Sequence, residues 1–387
     1  MLTLIRNANL FAPAPLGLRD VLIADGRIAA IDSTIELSGS FLWEELDASG
    51  KILIPGLVDS LVHITGGGGE GGPHTRVPPM QLSQAVNAGV TTLIGALGTD
   101  SVSRSLEDLV AKARALSTEG ISAYCHTGSY QVPVKTLTGS IERDLLLVDV
   151  MLGTGEIAVA DNRSSQPTLE ELKKIVAASR VGGMLSGKAG TVLIHMGDAP
   201  DQLTLLDALF ASTDLPKRQL QVTHINRSAA LFEKAIGFAQ RGGYVDFTTS
   251  TGGLMKWGEV SCAEGLQRLL QEGVPVSQIT FSSDGQASLP IFDAEGQVVG
   301  IGVGEISSLW QEVKRCVSQG MALEVVLPVV TSSPAKLLGL SQKGVLATGK
   351  DADLLLLNDD LSIDGVMARG RWLKQNGVLQ VKGTFES

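Results

Sequence analysis

Pro55-Gly56-Leu57-Val58-Asp59-Ser60-Leu61-Val62-His63 is the stretch on which the reading of this chain turns. An apolar run, residues 52–62, ends in an imidazole and passes into a glycine-rich loop, 66–72. Alternate residues of a strand share a face, so positions 61 and 63 point the same way. Histidine at both would make a two-imidazole metal clamp, but position 61 is leucine. With one half of that clamp missing, the run reads as a lost metal, a moved metal or a coincidence.

Two of the remaining histidines also end short apolar runs: Val192-Leu193-Ile194-His195 and Leu220-Gln221-Val222-Thr223-His224. A fourth run, Ile279-Thr280-Phe281-Ser282-Ser283-Asp284-Gly285, ends in a carboxylate. A barrel of parallel strands gathers such endings at one mouth, where its active site sits. Neutral imidazoles and a carboxylate are the ligands of a catalytic zinc that keeps one position open. Strands are predicted at 52–63, 91–96, 121–127, 155–160, 191–195, 219–224, 243–248 and 278–284. Amphipathic helices are predicted between them at 105–117, 168–179, 228–240 and 262–271, each stopping near a glycine, Gly120, Gly182, Gly242 or Gly273. Eight strands interleaved with helices give a (β/α)8 TIM barrel, because only a closed sheet brings strands one, five, six and eight together.

The ends of the chain differ from its middle. Short strands with turns are predicted at 2–6, 20–24 and 27–32, and again at 352–357, 365–369 and 371–374. They predict a small β-sandwich-like domain built from both termini, 1–53 and 343–387, around a barrel at 54–342.

Composition limits the function. A length of 387 residues with 44% hydrophobic content and 45 glycines suits a large α/β enzyme with many tight strand-to-helix turns. A net charge of −10 disfavours nucleic acid and anionic membrane surfaces as partners. No apolar stretch reaches the roughly 18 residues a membrane span needs, and the first residues lack the pattern of a signal peptide. Three scattered cysteines, Cys125, Cys262 and Cys316, fit free buried thiols in a reducing cytoplasm.

Gly66-Gly67-Gly68-Gly69-Glu70-Gly71-Gly72 formally contains a dinucleotide fingerprint. It runs into Pro73 and Pro78-Pro79 instead of opening a helix, so it lacks the helix N-terminus that a pyrophosphate requires. A loop that lets backbone approach a small substrate, with Glu70 at its tip, is the better reading. Ser282-Ser283-Asp284-Gly285 is no serine-hydrolase motif, since the chain has no GxSxG elbow.

Pro55-Gly56-Leu57-Val58-Asp59 and Gly349-Lys350-Asp351-Ala352-Asp353-Leu354 resemble the amidohydrolase superfamily. Leu97-Gly98-Thr99-Asp100-Ser101, Thr127-Gly128-Ser129-Tyr130, His195-Met196-Gly197-Asp198, Thr223-His224-Ile225-Asn226-Arg227 and Lys382-Gly383-Thr384-Phe385-Glu386 resemble the isoaspartyl dipeptidase family within it. The match is nearly end to end and in chain order. The resemblance implies hydrolysis of dipeptides linked through the aspartate β-carboxyl, at a two-zinc centre bridged by a carbamylated lysine. It also implies homo-oligomers. Carried over, His63 is the second histidine of the HxH pair, His195 and His224 are the strand-five and strand-six ligands, and Asp284 is the strand-eight carboxylate. Gly68, Gly69, Glu70, Thr99, Tyr130, Arg163, Arg227 and Ser288 fall on substrate-contacting positions.

Two positions depart from that pattern. Leu61 replaces the first HxH histidine, and Glu156, seven residues before Arg163, stands where the bridging lysine belongs. Glutamate keeps the carboxylate and loses the reach. The pair of changes resembles N-acetylglucosamine-6-phosphate deacetylases, some of which hold one metal through Glu and two His. The expected site is therefore one tightly bound Zn2+ on Glu156, His195 and His224, with His63 a weak ligand or a group behind the ligands. Asp284 is the expected general base and Tyr130 the donor to the oxyanion. Glu70 suits an α-ammonium, while Arg163 and Arg227 suit two carboxylates. Three functions remain open: a metal-dependent β-aspartyl dipeptidase, an N-acyl amino acid deacylase reusing the pocket, and a decayed dipeptide-binding homologue.

Overall fold

The structure, a computed structural model, describes residues 2–40, 42–250, 258–292 and 298–386. Its centre is an eight-stranded parallel sheet whose strands neighbour one another in chain order. They are Leu57–Val62, Val90–Gly95, Ser122–Thr127, Met151–Val159, Thr191–Met196, Leu220–Thr223, Val245–Thr248 and Ile279–Ser282, called barrel strands one to eight below. Strands one and eight close the ring just beyond their ends. Asp284 N–H donates to Leu61 O at 3.1 Å, His63 N–H donates to Gly285 O at 2.8 Å, and Val62 bridges Gly285 in parallel. The sheet is a TIM barrel.

The helices form for the reasons their sequences carry. Leu106–Glu119 starts at Ser105, whose side chain accepts from Asp108 N–H, and buries Leu106, Leu109, Val110, Ala113 and Leu116 as one stripe. Leu169–Ser186 opens with a Thr168–Glu171 capping box. Ser228 and Ser261 cap Ala229–Gln240 and Cys262–Gln271 in the same way. These stripes pack on the outer face of the strands in one continuous core that includes Leu93, Val192, Phe247 and Phe281.

Two expectations are corrected. The predicted strand 52–63 is two strands, Ile52–Pro55 in an outer sheet and Leu57–Val62 in the barrel. The break falls at Gly56, where a Cβ would come within 2.2 Å of Thr91 Oγ1. The helix predicted to stop at Gly182 runs on to Ser186 and ends at Gly187, which is left-handed at φ 69°. Gly182 lies inside the helix because a Cβ there would meet Glu142 Cα at 2.9 Å, so its role is close approach to the neighbouring helix Ile141–Leu147.

The outer sheet has nine strands. Leu2–Phe11 lies at its centre, paired with Pro15–Ala24, Trp43–Asp47 and Ile52–Pro55, and Arg27–Asp32 closes that edge. Leu354–Leu357 pairs antiparallel with Ile52–Pro55, followed by Ile363–Ala368, Arg371–Gln375 and Val378–Leu379. Both ends of the chain thus share one sheet, with its own core of Ile5, Leu10, Val21, Leu53, Leu354 and Met367. A hairpin that the sequence reading omitted, Ser288–Phe292 with Val298–Val303, stands beside the barrel mouth. No described helix is long and apolar enough to cross a membrane.

Candidate active site

The cavity at the C-terminal mouth of the barrel has a volume of about 660 Å3. Behind its lining residues His195 and His224 lies Glu156, fully buried on strand four. Its Oε1 is 2.9 Å from His195 Nδ1 and 3.1 Å from His224 Nε2. One ligand atom from each of these three residues lies within 4.8 Å of the others. The second oxygen, Glu156 Oε2, is buried without a hydrogen-bond partner. A carboxylate and two imidazoles converging on one point, with an oxygen left unpaired, fit a divalent cation. The far side of each ring is held: His224 Nδ1 by the Thr248 hydroxyl, and His195 Nε2 by Asp161 Oδ2 at 3.1 Å. Metal-binding histidines are oriented by such outer contacts.

Electrostatics agree with that arrangement. Burial works against a charged Glu156, but hydrogen bonds and charge from His195 and His224 hold its carboxyl well below the usual range. Burial, then the charge of His195, pushes His224 down to about 4.

His63 sits to one side. Its Nε2 is 3.1 Å from Asp284 Oδ1 and 3.8 Å from Glu156 Oε2, while Nδ1 faces Ala96 O at 3.1 Å. Burial opposes its charge, yet Asp284 and Glu156 outweigh burial and raise it to about 9. Leu61, where the partner histidine was expected, is fully buried against Ala96 and Leu193. Asp284, left-handed at φ 53°, follows strand eight and lines the cavity.

The remaining expected residues gather on the walls. Gly68, Glu70, Thr99, Tyr130, Arg163, Arg227 and Ser288 all line the cavity. Gly69, between two of them, is not among the lining residues. The glycine loop is held in place: Arg104 donates to Gly67 O and Val77 O, each at 3.0 Å. Gly66 must be glycine, because at φ 82° a Cβ would lie 1.9 Å from Val77 O. Ser288 Oγ donates to Glu70 Oε2 at 3.2 Å, and Arg163 Nη1 lies 3.7 Å from Glu70 Oε1. The Tyr130 hydroxyl is 2.7 Å from His195 Nδ1, and burial raises its pKa well above the usual phenol value.

Sequence reasoning missed two acids here. Asp161 follows strand four, and its carboxylate takes Arg163 N–H at 2.8 Å, Arg163 Nε at 2.9 Å and Arg163 Nη2 at 2.8 Å, with Arg227 Nη1 at 3.4 Å. The Nε–Nη2 edge of Arg163 is therefore already occupied. Glu259 also lines the cavity, and burial pushes it up to about 8. Glu259 ends no apolar run. Asp161 does end one, Ile157-Ala158-Val159-Ala160, the same signal that marked His195 and Asp284, and it also stands two residues before an arginine.

The chain is similar to known proteins. A model of the amidohydrolase family matches residues 255–373. The β-aspartyl dipeptidase of Fervidobacterium islandicum AW-1, solved in complex with a β-Asp-Leu dipeptide, superposes with a TM-score of 0.90 at 42% identity, covering 98% of this chain and 99% of that one. N-acetylglucosamine-6-phosphate deacetylase from Pasteurella multocida shares the fold, with a TM-score of 0.65 at 16% identity over 96% of this chain and 99% of that one. An adenine deaminase of Lactobacillus delbrueckii subsp. bulgaricus is 25% identical over 95% of this chain, which spans 58% of that protein's length. With the identity to the Fervidobacterium enzyme running the full length of both chains, this chain belongs to the β-aspartyl dipeptidase family of the amidohydrolase superfamily.

Proposed function

We propose that this chain hydrolyses β-aspartyl dipeptides at a site holding one divalent metal on Glu156, His195 and His224. One observation carries the reading. The three-ligand cluster adjoins a cavity whose charged lining includes Arg163, Arg227 and Glu70, groups that can pair with the two carboxylates and one ammonium of a β-aspartyl dipeptide. A cation such as Zn2+, when bound there, polarises the scissile carbonyl and brings the pKa of water to about 7.

The chain's own groups do the rest. Burial raises the Asp284 carboxyl, but the hydrogen bond and charge of His63 bring it below its ordinary value, so Asp284 is ionised at neutral pH. It takes a proton from the attacking water as the C–O bond forms and hands it to the leaving amine as the C–N bond breaks. Tyr130 keeps its proton and donates to the oxygen that gains charge. Glu70, with Ser288 beside it, takes the α-ammonium. Arg227 and the Nη1 edge of Arg163, which faces Glu70, take the carboxylates. Glu70 would repel a sugar phosphate, which disfavours the deacetylase substrate class.

Arg227→Lys tests the pocket. Lysine keeps the charge and loses the planar fork, so KM for β-Asp-Leu should rise about tenfold or more with the thermal midpoint unchanged. A near-normal kcat/KM in that variant would remove Arg227 from the site. If zinc-loaded protein cleaves N-acetyl amino acids and leaves β-Asp-Leu intact, the dipeptidase reading is wrong.

A further inference from the structure

Asp161 touches both halves of the site. Its Oδ2 lies 3.1 Å from His195 Nε2, 2.8 Å from Arg163 Nη2 and 3.4 Å from Arg227 Nη1, while Oδ1 takes the Arg163 backbone N–H and Nε. We infer that Asp161 is a positioning residue with two roles. It fixes the His195 tautomer that turns a lone pair toward the metal, and it is the resident counter-ion whose charge offsets Arg163 and Arg227 and so weakens their hold on a substrate carboxylate. The inference rests on the metal site and substrate class proposed above.

The first role follows from donor and acceptor counting. Arginine has only donors and an ionised carboxylate only acceptors. Arg163 and Arg227 also reach His195 Nε2, at 3.3 and 3.4 Å, but these contacts are longer than the 3.1 Å to Asp161. Once a cation is held by Nδ1 and Glu156, the ring proton is left to Nε2, where Asp161 is the nearest acceptor. Nδ1 is left with its lone pair, facing Glu156 Oε1 at 2.9 Å. Two acceptors so close are reconciled by a cation between them. The Tyr130 hydroxyl, 2.7 Å from the same nitrogen, donates to that lone pair only while no cation holds it.

The second role follows from charge. Two guanidiniums share one carboxylate that is almost wholly buried. A ligand carboxylate entering beside them competes with Asp161 for their donors. Removing the charge at 161 should thus weaken metal binding while strengthening binding of carboxylates, and a merely structural residue would not separate the two.

Asp161→Asn is the test. Its amide oxygen can keep the Oδ1 contacts, which puts the NH2 against His195 Nε2 and drives the ring proton to Nδ1. Zinc affinity, measured by chelator competition, should fall about 10- to 100-fold. Succinate should bind the metal-free variant at least about threefold more tightly than the metal-free parent, because a competing charge is gone. Asp161→Glu, which keeps the carboxylate, should recover part of the zinc affinity. Unchanged zinc affinity in folded Asp161→Asn overturns the first role, and unchanged or weaker succinate binding overturns the second. If the asparagine variant does not fold, 15N shifts of the His195 ring in the unaltered zinc-loaded protein decide: a proton on Nδ1 overturns the assignment. Both titrations read Asp161 without turnover. Failure of the parent enzyme to cleave β-Asp-Leu would instead count against the substrate class.

Discussion

Leu61, at the position where the family resemblance places an imidazole, is fully buried against Ala96 and Leu193. Without that imidazole, a second metal would have only His63 and a share of Asp284 or Glu156, fewer than the roughly three protein ligands a catalytic zinc needs. Zinc-saturated protein should carry about one metal per chain by elemental analysis, and Leu61→His should give partial occupancy of a second. Two full equivalents in the unaltered protein would refute the single-metal site. Glu156→Ala should lower the content well below one. Asp59 gives a different prediction. Burial pushes its carboxyl up to about 7, with the charge of Asp246 adding to burial against hydrogen bonds from Ser283 and Leu61. Between about pH 4 and 7 the folded chain then holds a proton that the unfolded chain has lost, so this group lowers stability as pH rises. Asp59→Asn should flatten that part of the stability–pH curve; an unaltered slope would show Asp59 already ionised in the fold. His63, His195, His224 and Asp284 were legible because each ends an apolar run. Glu156 was found only by counting back from Arg163. Asp161 was passed over although it too ends an apolar run, residues 157–160; its partners come from strands four, five and six, and no spacing in one segment records that meeting.

Helix starts were legible because a cap is a local event: Ser105, Thr168, Ser228 and Ser261 each accept from an N–H three residues on. Helix ends and strand breaks were less so. Gly182 and Gly187 look alike in the sequence, but one admits the helix Ile141–Leu147 and the other reverses the chain. Only the neighbour distinguishes them. Gly56 likewise divides two sheets because Thr91 crowds it. The capping box of Leu169–Ser186 makes a measurable contribution. Thr168→Ala should reduce stability by about 1 kcal/mol, read as a lower urea midpoint with kcat unchanged. A loss of metal content in that variant would mean that the helix start also sets the position of strand five.

The whole molecule depends on a sheet that neither end can complete. Ile52–Pro55 has Leu2–Phe11 on one side and Leu354–Leu357 on the other. Removing residues 354–387 should strip one side of that strand and expose Leu53 and Met367's former partners in the small core. We expect aggregation on size-exclusion chromatography, whereas a soluble, metal-binding monomer would show the barrel to be independent. Composition at the termini made the shared sheet legible; its strand order was not, since the pairing of residues some 300 positions apart leaves no local mark.

That separation also has a meaning in time. At about 5–20 residues per second, a ribosome that has just released Ile52–Pro55 needs on the order of 15–60 s to deliver its partner Leu354–Leu357. For that interval the nascent chain carries an apolar strand with one open side, directly upstream of the first strand of the barrel. Translation speed and chaperone supply, more than the stability of the finished enzyme, should then govern how much of this protein reaches its folded form in a cell.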